Sequence, residues 1–140
     1  MDFEIASSLG TNYLSRCFLA IGCSNSSDGL SGGILVTFDV VGEKYKVFIT
    51  NEITIEEIYA LQRGESQARI PSGLIREGKV WYNEPWSWYI DSDDIHMAES
   101  TIEICDGLPS HLENNLIYWL NTVKRFCPWG AEIVDIEDYR

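Results

Sequence analysis

The stretch "ILVTFDVVGEKYKVFIT", residues 34–50, constrains this chain more than any other. Ile34, Val36, Phe38 and Val40 recur at every second position, then Gly42-Glu43 interrupts, then Tyr45, Val47 and Ile49 resume the same period. Successive side chains of a strand point to opposite faces, so period two places all seven on one side of a hairpin. A hairpin with one apolar face is half of an antiparallel sheet and requires a second layer to cover it.

Two later segments change period and predict that cover. "TIEEIYALQRGE" has Ile55, Ile58 and Tyr59 on one helical face and Gly64 as a stop, giving a helix over about 54–63. Thr54 and Glu57 have the spacing of a capping box. "LPSHLENNLIYWLNTVKR" predicts the longer helix, about 110–125, with Ser110 and Glu113 repeating the box. Its apolar stripe is Leu112, Leu116, Trp119, Leu120 and Val123, and Lys124 and Arg125 suit its C-terminal end. Strands are expected around 73–76 and 86–90, at "TIEICDG", and at "AEIVDIEDY". The fold class is α+β: a single domain, mainly antiparallel sheet, with two principal helices. At 140 residues it can bury a sizeable core without staples.

Residues 1–32 read as a leader and linker, and 33–140 as the globular part. Arg16, the short apolar run Cys17 to Gly22, then Cys23 and Ser24 resemble the end of a bacterial lipoprotein signal, with Cys23 as the lipidated residue. The run is shorter than a usual secretory segment, Asp2 and Glu4 replace basic residues, and Ala20 stands where Leu is favoured. The plainer reading is a polar tail with two incidental cysteines.

Twenty-two acids against ten bases give a net charge of −12. Phosphate backbones and anionic membranes require the opposite sign, so no nucleic-acid partner is expected, and membrane association only through a lipid anchor. A protein or a small molecule is the expected partner.

"VWYNEPWSWYIDSDD", residues 80–94, holds the candidate site. In an extended chain Trp86, Trp88 and Ile90 share a face, which suits either a ring-stacking platform or core. Trp81 and Tyr82, before the Asn83-Glu84-Pro85 kink, are the expected exposed ligand contacts, with Trp86 and Asp106. Asp91, Asp93 and Asp94 fall in an expected turn before a short helix. Three carboxylates and distant Asp106 provide part of a calcium site, and calcium is the one candidate cofactor. The plainer reading has Asp91 or Ser92 capping that helix. A hydrolase is the rival function, with Cys105 or His96 near Glu99, Glu103 or Asp106. No nucleophile elbow accompanies them. If Cys23 is lipidated and Cys17 removed, Cys105 and Cys127 are left as a pair, a disulfide in an oxidising compartment or two buried thiols in a reducing one.

"GLIREG", "YNEPWSWYID", "AESTIEICDGLPSHLENNL" and "RFCPWGAEIV" occur in an order and spacing similar to one family. They resemble the BP-seventy-four-like amino-terminal domain, found in small secreted bacterial proteins and in a eukaryotic calmodulin-binding protein, over about residues 33–138. The resemblance makes Trp86, Trp88, Glu103, Cys105, Asp106, Cys127 and Trp129 signature positions. Tyr89 stands where a histidine is common. The resemblance implies no reaction. It implies a secreted or lipoprotein-like setting, since bacterial members often follow such leaders. The combined expectation is an extracytoplasmic module that binds a protein or small ligand.

Overall fold

The computed structural model describes residues 29–140. The leader reading and Cys23 lie outside the described residues. The expected hairpin forms as β1 (Ile34–Val40) and β2 (Glu43–Ile49), antiparallel, with Val36 opposite Val47 and Phe38 opposite Tyr45. All seven alternating apolar side chains are buried. The turn is Val41-Gly42, both at positive φ, a pairing whose twist matches that of the strands it joins. Asp39 Oδ1 accepts from the Gly42 N–H at 2.8 Å.

Two three-stranded antiparallel sheets share one core. The first has the order β2-β1-β6, where β6 is Ala131–Asp138. The second has the order β4-β3-β5: β3 is Ile70–Glu77, β4 is Trp88–Ala98 and β5 is the two-residue Arg125–Phe126. Between them Tyr45 stands 5.7 Å from Trp88 and 5.2 Å from Phe126, ring centre to ring centre. Trp88 meets Phe126 edge-on at 5.6 Å, a favoured geometry for paired rings. The α+β class is as expected, mainly sheet.

The helices differ from expectation in an instructive way. α1 spans Glu52–Gln62 and is capped by Asn51, whose side chain accepts from the Ile53 and Thr54 N–H groups. Thr54 and Glu57 are not its capping box. Thr54 Oγ1 donates to the Ile95 carbonyl and Glu57 Oε1 accepts from the Met97 N–H at 3.0 Å, so both fasten α1 to the outer edge of β4. The C-terminus is as read. Gly64 sits at φ +77°, and the Gly64 and Glu65 N–H groups close back on the Leu61 and Ala60 carbonyls.

The expected helix 110–125 is interrupted. α2 is Pro109–Asn114, α3 is Leu116–Tyr118, and a wider π-type turn runs Trp119–Val123. Lys124, at φ +73°, ends it, and Arg125 already belongs to β5. The apolar stripe nevertheless faces inward, with Leu112 and Trp119 buried and Leu116, Leu120 and Val123 packed against the core. Ser110 and Glu113 again bond across the fold. Ser110 donates through N and Oγ to Glu43 at 2.9 Å each, and Glu113 accepts from Ser87 N and Oγ at 2.8 Å each. "TIEICDG" is not a strand: Glu103–Cys105 is a 3-10 turn.

Gly73 shows how tightly β3 meets β4. A Cβ there would stand 2.2 Å from Ile90 Cγ2, inside a filled core. Gly73→Ala is therefore expected to destabilise by about 1–3 kcal/mol through overpacking, measured by urea unfolding. An unchanged midpoint would mean that Ile90 has space to move.

Candidate functional site

The aromatic ribbon divides as its chain geometry dictates. Trp88 is fully buried within β4, and among the described residues its indole N–H meets no hydrogen-bond partner. Trp86 lies just before the strand, half-buried, stacked on Trp88 at 6.0 Å, and its Nε1 donates to the Lys44 carbonyl at 2.9 Å. That bond ties it to the edge of β2 and leaves only part of its ring for a ligand. Trp81 remains 51% exposed, in a 3-10 turn, Trp81–Asn83, edge-on to half-buried Tyr82 at 5.6 Å. Burial raises the Tyr82 phenol above its ordinary range.

Asn83 holds this turn in place, a role to which no sequence signal pointed. It is buried; its Oδ1 accepts from the Lys46 N–H at 2.7 Å and its Nδ2 donates to the Trp88 carbonyl at 2.9 Å. One amide side chain thus bridges a strand of each sheet, β2 and β4. An exposed tryptophan on so fixed a turn is presented with little conformational freedom to lose on binding.

The acids require a correction. Asp91 to Asp94 are not a turn before a helix. They form a bulge within β4, because the register passes from Gly73–Ile95 to Ile75–Ile90 and leaves Leu74 opposite the extra residues. Asp91 Oδ1 accepts from the Asp93 and Asp94 N–H groups, and its Oδ2 accepts from Arg76 Nε and Nη2 at 2.9 and 2.7 Å. Asp94 Oδ1 faces a different cation, Arg125 Nη1, at 2.9 Å. Two of the three carboxylates are thus turned to separate arginines. Among the described residues no group of three His, Cys, Asp or Glu side chains converges as a metal site. The expected calcium site at Asp91, Asp93 and Asp94 is therefore not assembled.

The Asp93 backbone N–H, aided by Arg76, holds the Asp91 carboxyl below its ordinary range. A lowered folded value means a contribution present above the unfolded carboxylate pKa, about 4, and lost as pH falls through the folded value. Asp91→Asn, which keeps a side-chain acceptor, is expected to cost less than Asp91→Ala, about 1 kcal/mol. The gap between parent and Asp91→Asn should close in acid unfolding curves as pH falls below both the unfolded and the folded value. A gap that persists there would assign the effect to packing.

Asp106 and the cysteines form one frame. Cys105 and Cys127 are disulfide-bonded, with Cα atoms 5.1 Å apart, in a small buried cluster with Ile70. The Cys127 N–H donates to the Cys105 carbonyl at 2.8 Å. Asp106 Oδ1 accepts from the Trp129 N–H at 2.8 Å, so this carboxylate is occupied by backbone. Trp129 Nε1 donates to Thr101 Oγ1 at 2.6 Å. The sulfur of Cys105 is bonded and carries no thiolate in this form. His96 is exposed on β4, opposite Ser72. Glu99 and Glu103 are exposed as well.

The chain is thus a small two-sheet domain with a disulfide-braced loop frame and a rigidly displayed tryptophan. The family model for the BP-seventy-four N-terminal domain matches residues 33–140, and the chain belongs to that family. No curated protein and no solved structure matches it.

Proposed function

We propose that this domain is an extracytoplasmic binding module that takes a protein or a small ligand at the Trp81–Tyr82 turn. The observation that supports it best is the display of Trp81, half exposed on a turn locked by Asn83. An exposed indole suits a sugar ring, an aromatic group or a cation. The disulfide supports the compartment, because such bonds persist where the surroundings are oxidising. A lipid tether at Cys23 belongs to the same proposal and rests on the sequence. Cation assistance does not, since Arg76 and Arg125 already face Asp91 and Asp94. No observation favours the hydrolase reading, whose thiol is the bonded Cys105.

Two measurements test the proposal. The first is the intact, non-reduced mass of the protein from its native cells, by fraction. A membrane-fraction chain starting at Cys23, acylated and two hydrogens light, is the expected result. A soluble full-length chain with free thiols would overturn the compartment. The second is a glycan and peptide array, on which Trp81→Ala should lose at least tenfold of the parent signal while keeping the parent's melting temperature. Equal signals would move the site away from Trp81.

A further inference from the structure

A second surface lies around the disulfide frame, in segments that the Trp81 reading does not use. Ile102 and Ile104 flank Glu103 and are 71% and 52% exposed. Trp129, 43% exposed, is held beside them by its bond to Thr101 and by Asp106. Val41, at the tip of the first hairpin, is 80% exposed. Its Cγ2 would stand 3.4 Å from a Cβ on Gly130, the neighbour of Trp129. Three loops distant in sequence thus bring four large apolar side chains to one region of the surface. The Cys105–Cys127 bond and the Cys127 N–H···O=C Cys105 hydrogen bond fix two of those loops to each other. Exposed apolar side chains gathered in one region on a rigid frame suit an interaction site better than apolar residues scattered singly.

Charge selects the occupant. Residues 99–107 carry Glu99, Glu103 and Asp106 and no basic residue. Residues 127–132 carry Glu132 and none either. The hairpin base Lys44 is 3.4 Å from Asp39, and the exposed Arg69, next to Ile70 of the disulfide cluster, is outnumbered by these four acids. A second copy of a chain with net charge −12 would bring like charges together at this rim. We propose that Val41, Ile102, Ile104 and Trp129 form a docking surface for a basic amphipathic polypeptide segment. Its apolar side chains would cover the isoleucines and the indole, and its Lys or Arg residues would meet Glu99, Glu103 and Glu132. Apolar contact at the centre with charge at the rim is the usual anatomy of such interfaces.

The test is an NMR titration of the full, oxidised chain with a synthetic helical peptide of leucines and lysines. Its counterpart, with every lysine replaced by glutamate, is the control. Perturbed amides are expected at 101–106 and 127–132, with a salt-sensitive affinity. Ile102→Glu with Ile104→Glu should weaken binding at least tenfold. Glu103→Lys with Glu132→Lys, both exposed and outside the core, should do so about as strongly with the apolar side chains intact. Trp81→Ala should leave this binding unchanged, so the failure of one surface is distinguishable from failure of the other. Perturbations mapping to the acidic face of α1 at Glu52 and Glu56 would overturn the proposal. So would equal binding of the glutamate peptide, or concentration-dependent broadening without peptide, which would make the occupant a second copy.

Discussion

Trp88→Ala should bring the domain to the edge of unfolding at 25 °C. Removing a fully buried aromatic side chain costs about 3–5 kcal/mol, against the roughly 5–15 kcal/mol that small domains possess in total. The indole is the common neighbour of Tyr45, Trp86 and Phe126, so its loss opens the space between both sheets at once. The urea midpoint is expected to fall by about 2 M. Trp88→Phe should cost less, about 1–2 kcal/mol, because a ring still fills much of the site. It also removes the buried N–H, which meets no partner among the described residues. Equal losses in the two variants would show that this N–H holds a partner whose loss outweighs the packing.

Loss of the Cys105–Cys127 bond is the second large effect. The bridge closes a loop of sequence separation 22 that contains α2, α3 and the turn before β5. In the chain-entropy account, opening such a loop costs about 3 kcal/mol, by releasing the unfolded chain. For a domain of this size that is on the order of 10 °C in melting temperature. Calorimetry of Cys105→Ala with Cys127→Ala, and of the parent with reductant, should agree. The Cys127–Cys105 and Trp129–Asp106 hydrogen bonds hold the native frame without the sulfurs, so the variant should still fold. An unchanged melting temperature would show that the unfolded chain was not restricted by the bridge.

Legibility in the sequence followed the range of the interaction concerned. The hairpin, α1, the stop at Gly64 and the inward stripe of Leu112, Trp119 and Val123 were readable, because each depends on spacing within a few residues. Both capping boxes were misread, although their residues were singled out. Thr54, Glu57, Ser110 and Glu113 all found partners 26 to 67 residues away, at β4, β2 and Ser87. The long helix was broken within a stripe that periodicity alone would have continued. At the candidate site, the exposure of Trp81 before the proline kink and the pairing of the two cysteines are legible in the sequence. Asn83 is not, since a buried amide bridging two sheets has no local signature.

The sequence by itself determined which side chains share a face, where α1 stops, the family and the acidic excess. Local backbone geometry sets the first two, and composition needs no geometry at all. Only the tertiary structure decided that Trp88 is core while Trp86 is tied to β2. It also decided that Asp91 and Asp94 face arginines, and that the loops carrying Val41, Ile102, Ile104 and Trp129 come to one region of the surface. Those outcomes depend on which distant segments are packed together, and a strand bulge of a few residues is enough to turn an expected metal cluster into two ion pairs.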